Sequence, residues 1–137
     1  MLQHWLLVRG RAGHLLPDEV DTERLQAHSS SRRPSVQRGD LAVCYASGWQ
    51  NIFAVVEVVG EPENDPSRER WAWRFPLRPL LTVPRLSEAP PVEAAGVWPR
   101  SLGRHSYVRL TPEQFDAARD ALTNPEHPAS NSAKNRS

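Results

Sequence analysis

Residues 39–59 read GDLAVCYASGWQNIFAVVEVV, and this stretch decides the fold. Two apolar runs, 41–46 and 52–59, are separated by the small and polar residues 47–51, a pattern typical of two strands joined by a short loop. Alternate side chains of the second run are apolar on nearly both faces. A β-hairpin is therefore predicted in the middle of a closed or heavily packed sheet, with Trp49 exposed in the loop at its rim.

The segment before the hairpin is predicted to supply one strand and one helix. HWLLVR, at 4–9, is a short apolar run that ends at a glycine and is expected to pair with the hairpin. LPDEVDTERLQAH, at 16–28, has a proline followed by acidic residues and a loose helical spacing of apolar positions, which favours a short helix. The small, polar and basic residues 29–35 are predicted to form a mobile loop.

The segment after the hairpin begins with a charged turn at 60–70 and continues as the aromatic run WAWRFPLRPLL at 71–81. Alternation in this run predicts a strand whose apolar face places Trp71 and Trp73 in the core. Its two prolines are expected to make it an edge strand or to end it early. Residues 82–96 are rich in proline and predict only a connection with a helical turn.

The C-terminal part is predicted to hold a last strand at 106–110 and a helix that ends at Leu122. TPEQ, at 111–114, has the form of a capping box with proline at the first helical position. The inner stripe of this helix is expected to be Phe115, Ala118, Ala121 and Leu122. Residues 1–122 are thus predicted to form one domain, and residues 123–137 a disordered tail.

Charge and cysteine content limit the function classes. The 137 residues contain 17 Lys+Arg and 16 Asp+Glu, and the tail holds Lys134 and Arg136 against Glu126, so residues 1–122 carry no net charge. Bulk attraction to nucleic acid is therefore not expected from the total charge. The single cysteine, Cys44, excludes an intramolecular disulfide and fits a reducing, cytoplasmic setting. Neither a membrane span nor an export signal is expected.

The order of these elements, together with several short motifs, resembles the EVE domain, a PUA-like domain related to the YTH and ASCH domains. The matching segments are HWLL at 4–7, RGDL at 38–41, YAS at 45–47, AVVEVV at 54–59, the aromatic strand at 71–79, RHS at 104–106 and LTPE at 110–113. The resemblance implies an α+β fold, a PUA-like mixed β-barrel flanked by short helices. It also implies a pocket that accepts a base, often a modified one, flipped from nucleic acid.

Two segments depart from the family pattern. EVE domains usually carry a tryptophan and an asparagine-containing motif before the GD turn, where this chain has HSSSRRPS at 28–35. The first strand of the family commonly continues into a lysine, a serine and an acidic residue, whereas this chain has VRGR at 8–11. These departures imply either a different ligand or a pocket that no longer binds.

An extruded base needs flat groups for stacking and a few polar groups for its edge. The stacking candidates are Tyr45, Trp49, Trp98 and Arg9. The family pattern adds Ser47, Arg104 and Ser106 as contacts to a base edge or a phosphate. Competing interpretations stay open: Tyr45 packs in the barrel, Trp49 anchors its loop, and Ser47 caps a turn.

The resulting hypothesis is a nucleic-acid-binding module whose partner is DNA or RNA carrying a modified base, with any effector protein supplied separately. The first alternative is a protein-interaction module, and the second is a small hydrolase of the ASCH type. Such hydrolases are thought to rely on a lysine, and the only lysine here is Lys134 in the tail. Cys44 is expected to be a buried, inert thiol. No enzyme activity, cofactor or metal site is therefore predicted.

Overall fold

The structure is a computed structural model that describes residues 2–10, 14–103 and 105–123. In chain order these residues form β1 (His4–Arg9), a 3-10 turn (Thr22–Gln26), β2 (Ala27–Ser30), β3 (Leu41–Ala46), β4 (Asn51–Val58), β5 (Glu63–Asn64), β6 (Trp73–Thr82), three further 3-10 turns (Leu86–Glu88, Val92–Ala95, Pro99–Leu102), β7 (Tyr107–Leu110) and α1 (Pro112–Thr123). The predicted tail from 124 onward lies outside the described residues. None of the helical segments described is long and apolar enough to cross a membrane.

The strands form one curled mixed sheet in the order β2-β6-β4-β3-β1-β7, with the short β5 paired to β6. β1 runs parallel to β3, and the other pairs are antiparallel. The predicted hairpin is confirmed, since β3 and β4 pair with Val43 opposite Val55 and occupy the centre of the sheet. The curled sheet and the helix α1 that packs against it form the predicted α+β barrel.

The hairpin supplies the core, as its two-sided apolar pattern predicted. Val43, Ala54 and Val56 are fully buried. Cys44 is also buried, and its burial raises the pKa of its thiol to about 11, which keeps it protonated at neutral pH. Both faces of the central strands are therefore covered, one of them partly by α1.

A buried carboxylate joins β1 to the turn before β3. Asp40 accepts hydrogen bonds from Trp5 Nε1 at 2.9 Å and from the backbone N–H groups of Gln3 at 3.1 Å and Gln37 at 2.9 Å. Gly39, just before it, has φ +95°, a conformation that favours glycine. The HW and GD motifs, 35 residues apart in sequence, thus meet in one hydrogen-bonded cluster.

The helix predicted over 16–28 is wrong. Only the 3-10 turn Thr22–Gln26 forms, and Ala27–Ser30 form a strand against β6. Leu25 is the one buried side chain of the turn, so a longer helix would have had little apolar surface to bury. The residues before the turn run extended beside the segment after β6, where the backbone N–H of Val20 donates to Pro84 O at 2.9 Å. Tertiary pairing therefore overrides the helical pattern.

The prolines of β6 neither end the strand nor place it at an edge. β6 pairs with β2 through its first half and with β4 through its second. Pro76 lies where the partner changes, and Pro79 lies at a register shift that leaves Leu80 half-exposed. A missing N–H is tolerated best where the ladder is interrupted, which explains a ten-residue strand with two prolines.

Two assignments at the start of β6 also change. Trp71 and Trp73 are both partly exposed and lie outside the buried core, contrary to the prediction. The loop predicted at 29–35 begins later, because β2 includes its first two serines.

The C-terminal helix, by contrast, forms as predicted. Its capping box is complete, with Gln114 N donating to Thr111 Oγ1 at 3.0 Å and Thr111 N donating to Gln114 Oε1 at 2.9 Å. Its buried face consists of the predicted Phe115, Ala118, Ala121 and Leu122. The connection predicted at 82–96 also forms, and it contains two of the 3-10 turns.

Candidate functional site

The curled sheet has a seam, where β2 at one end of the strand order approaches β1 and β7 at the other. In the described part of the chain no backbone ladder joins β2 to either strand, and side chains bridge the gap instead. Arg9 Nη1 donates to Ala27 O at 2.9 Å, and Arg9 Nη2 donates to Arg24 O. His28 Nε2 donates to Ser106 O at 2.9 Å.

The hydrogen bonds of His28 define its protonation state. The Ser106 carbonyl can only accept, so Nε2 carries the proton and Nδ1 accepts from Arg9 Nη1 at 3.1 Å. Burial, assisted by the charge of Arg9, lowers the pKa of His28 to about 3. His28 is therefore neutral at physiological pH, and it fixes the position of the Arg9 guanidinium at the seam.

An open cleft of about 930 Å³ lies along this seam. Its buried floor is formed by apolar and aromatic side chains from several elements: Leu25, Tyr45, Phe53 and Leu86. Its exposed rim includes His14, Leu15, Glu19, Asp21, Arg24, Arg68 and His105. The cleft thus combines an apolar interior with a polar, charged rim, as small-ligand sites commonly do.

Tyr45 contributes to the floor of the cleft. It lies at a register shift between β3 and β4, immediately after Cys44. Its side chain is only 4% exposed, and burial, together with the charge of Glu93, raises the pKa of its phenol. Only a small part of the Tyr45 ring is therefore exposed to the cleft, and the rest is packed in the core.

Trp71 offers a larger aromatic surface, although the alternation of its strand predicts a core position for it. It lines the cleft, is partly exposed and has φ +51° at the entry to β6. The guanidinium of Arg70 lies over its ring, with Cζ 4.6 Å from the centroid. The sequence signal for this role was the position of the tryptophan beside an arginine at the end of the charged turn, where a side chain is less often buried than in mid-strand.

The charges at the described rim are mixed with a slight positive excess. Arg24 and Asp21 pair at 3.5 Å, which leaves Arg9 and Arg68 against Glu19. Burial lowers the pKa of Arg9, because desolvation disfavours the charged form of its guanidinium. We therefore expect the part of a ligand that lies inside the cleft to be neutral or weakly anionic.

Four of the seven residues predicted for the site line the cleft: Arg9, Tyr45, Ser47 and Ser106. Arg9 and Ser47 are also joined by a backbone hydrogen bond of 2.8 Å from Ser47 N to Arg9 O. Arg104 lies outside the described residues. Ligand contacts by any of the seven stay predictions.

Trp49 and Trp98, the two tryptophans predicted for the site, do not line the cleft. Trp49 is partly buried, not exposed as predicted, and its Nε1 donates to Leu16 O at 2.8 Å, so it holds in place a segment that lines the cleft. Trp98 is 65% exposed and directly precedes Pro99, which does line the cleft. Trp98 therefore lies near the rim rather than inside the cleft.

Besides Trp71, His28 is a site residue that the sequence did not indicate. Its segment carried a helical pattern, and nothing local indicated that its ring would bridge two distant strands. Within the described residues, no group of three or more histidine, cysteine, aspartate or glutamate side chains is arranged to hold a metal ion.

Comparisons with known proteins identify the fold. No family model and no curated protein matches the chain. Among solved structures, it is similar to Rpa0253 from Rhodopseudomonas palustris, with 17% identity, a TM-score of 0.61 and coverage of 92% of this chain and 97% of that chain. A hypothetical protein from Leishmania major has 10% identity, a TM-score of 0.59 and coverage of 93% and 98%. Human THYN1, solved in complex with 5-methylcytosine-containing DNA, has 17% identity, a TM-score of 0.55 and coverage of 90% and 98%. The chain therefore has the PUA-like α+β barrel fold.

Proposed function

We propose that the chain is an EVE-like module that binds nucleic acid and holds one base, extruded from a strand, in the cleft at the seam. The observation that carries the proposal is an open cleft of about 930 Å³ lined by both aromatic rings and hydrogen-bonding groups. The similarity in fold to THYN1, whose structure contains 5-methylcytosine DNA, supports the same ligand class. A modified base in DNA or RNA is the expected ligand.

Stacking would supply most of the affinity. Residues 1–122 carry no net charge, so phosphate attraction summed over the domain is weak. Stacking of a base on an aromatic side chain contributes about 1–3 kcal/mol. Trp71 is the best-placed ring because it lines the cleft and keeps part of its surface exposed. Tyr45 would contact the base from the floor.

Polar groups along the same cleft would read the edge of the base. Ser47 and Ser106 line it from opposite sides of the C-terminal end of β1, and each is partly exposed. A serine hydroxyl both donates and accepts, so it suits the mixed edge of a base. Arg9 is held by two backbone carbonyls and His28, which suits it to shaping the cleft wall. We assign it no chemical step, and the module is proposed to act by binding alone.

The test is a panel of short oligonucleotides, unmodified and carrying 5-methylcytosine or other modified bases, titrated by fluorescence anisotropy at one low salt concentration. The parent chain is expected to prefer one modified base. Trp71→Ala should weaken binding to it by about five- to a hundredfold, because one stacking contact is lost. The dependence of affinity on salt should stay close to that of the parent, because Trp71→Ala removes no charge.

Three variants serve as controls. Trp71→Phe keeps a ring in place and should restore much of the affinity. Tyr45→Phe removes the hydroxyl from the floor and is matched by Tyr107→Phe, whose tyrosine does not line the cleft. Absence of any preference across the panel would contradict the proposal and favour a protein-interaction module.

A further inference from the structure

A second feature lies beside the cleft, where the guanidinium groups of two arginines lie over the rings of two tryptophans. Arg70 Cζ is 4.6 Å from the ring centroid of Trp71, and Arg33 Cζ is 5.4 Å from that of Trp73. These four residues form what we call the arginine strip. The strip starts at the cleft, because Trp71 is part of the cleft lining.

The two arginines of the strip are exposed, and neither takes part in a salt bridge found among the described residues. The neighbouring Asp65 accepts hydrogen bonds from Ser67 N and Oγ, at 3.0 and 2.6 Å. These bonds lower the pKa of Asp65, with smaller effects from Arg68 and Arg74. The Asp65 carboxylate is thus held by its own turn, and the side chains of Arg33 and Arg70 are exposed to solvent.

A cation–π contact with indole prepares a guanidinium for phosphate binding. The attraction to the ring face restricts the motion of the guanidinium, which can still form two parallel hydrogen bonds to phosphate oxygens through its N–H groups. Trp71 and Trp73 are two residues apart, so their Cα atoms lie within about 7 Å of each other. The strip therefore holds two guanidinium groups over neighbouring positions of one chain segment, as two contacts to one strand require.

We propose that the arginine strip binds the phosphodiester backbone of the strand whose base occupies the cleft, through Arg33 and Arg70. This inference rests on the proposed function and adds the path that the strand takes away from the cleft. The strip would supply affinity and position without base preference, because phosphate contacts carry no sequence information. Base selection would stay with the cleft.

The test compares the parent chain with the double variant Arg33→Gln/Arg70→Gln on the same oligonucleotide panel over a series of salt concentrations. Affinity is expected to fall by about ten- to a hundredfold at low salt, by the same factor for every oligonucleotide. The slope of log affinity against log salt should decrease in magnitude by about 1.4 for single strands and about 1.8 for duplexes, the values for two phosphate contacts. The ratio of affinities for modified and unmodified bases should not change.

The matched control is Arg109→Gln/Arg119→Gln. These arginines also lie over aromatic rings, at 5.8 Å from Trp5 and 5.6 Å from Phe115, but neither ring lines the cleft, whereas Trp71 of the strip does. The control pair should leave both affinity and salt slope near the parent values. The variant Arg33→Lys/Arg70→Lys should keep most of the salt slope and lose part of the affinity, because lysine keeps the charge without the flat, stacked group.

The outcomes separate the two proposals. An unchanged slope and affinity in the Gln pair, with normal base preference in the parent, would overturn the arginine strip and leave the proposed function standing. A change in base preference without a change in slope would also overturn the strip, because it would make these arginines base contacts. If the parent binds no oligonucleotide at all, the proposed function fails and the strip fails with it.

Discussion

Asp40 joins two segments that are distant in sequence, and its contacts lead to a stability prediction. Its carboxylate accepts from Trp5 Nε1 and from two backbone N–H groups while being only 1% exposed. Asp40→Ala would leave these donors without their partner inside the protein. We expect it to lower the free energy of unfolding by about 3 kcal/mol or more, measured by urea unfolding.

Two further variants test whether the hydrogen bonds cause this loss. Trp5→Phe removes one donor and should lower the free energy of unfolding by about 1–2 kcal/mol. The double variant Trp5→Phe/Asp40→Ala should lose less stability than the sum of the two single losses, since both substitutions remove the same hydrogen bond. Asp116→Ala, at an exposed ion pair with Arg119, should change stability by less than about 0.5 kcal/mol. Equal losses at Asp40 and Asp116 would contradict the explanation.

His28 makes stability depend on pH in a direction that its hydrogen bonds define. Its pKa is about 3 in the folded protein against 6.5 in the unfolded chain, so between these values the unfolded chain binds a proton that the folded protein does not. The contribution of His28 to the free energy of unfolding is therefore fully present above about pH 6.5. It is lost as the pH falls toward 3, by up to about 1.4 kcal/mol per pH unit.

The measurement is urea unfolding of the parent and of His28→Gln from pH 7.5 to 4.5. The parent should lose stability more steeply than the variant over this range, because glutamine does not titrate. His105→Gln, at an exposed position, should follow the parent. Parallel curves for the parent and His28→Gln would show that His28 is not held neutral.

At the scale of elements, α1 and the segment at 16–28 show when a helical pattern is sufficient. α1 has both a complete capping box and four buried apolar side chains, whereas the earlier segment buries only Leu25 in its single 3-10 turn. α1 thus has both an N-terminal cap and a buried apolar stripe, whereas the segment at 16–28 has no such stripe. Local pattern predicts a helix reliably only when both are present.

We therefore expect the capping box to make a measurable contribution to the free energy of unfolding. Thr111→Ala removes the acceptor for Gln114 N, and we expect it to lower the free energy of unfolding by about 1 kcal/mol in urea unfolding. Thr111→Ser keeps a hydroxyl and should be close to neutral. A Thr111→Ser loss as large as that of Thr111→Ala would point to the lost methyl group instead of the cap.

At the scale of the whole molecule, the barrel is closed by side chains at the seam and by backbone ladders elsewhere. Arg9→Met would remove the hydrogen bonds to Arg24 O, Ala27 O and His28 Nδ1. We expect faster amide hydrogen exchange in residues 22–30, because β2 and the turn before it lose their link to β1, and in residues 106–110, because His28, which bonds Ser106 O, loses the contact that positions it. The central strands β3 and β4 should stay protected, since each is paired on both sides.

Arg100→Gln, an exposed change on the 3-10 turn at 99–102, is the control and should leave exchange unaltered. Uniform acceleration over the whole sheet in Arg9→Met would show global destabilisation and contradict a local role at the seam. The same variant, tested on the oligonucleotide panel, should bind more weakly because the cleft wall is displaced.

The sequence by itself determined the central hairpin, the first strand, the capped helix and their order, because each has a strong local pattern of apolar periodicity or turn chemistry. It also indicated Tyr45 and Arg9 as flat groups for stacking and, through family motifs, Ser47 and Ser106 as polar contacts, although the sequence separation of these residues hides their proximity.

Only the tertiary structure decided which residues form the seam and the cleft. β2 exists because β6 offers it a partner, His28 is neutral because distant groups bury it, and Trp71 faces the cleft because the chain turns at the entry to β6. None of these leaves a periodic signal, because each depends on contacts between segments that are far apart in the chain.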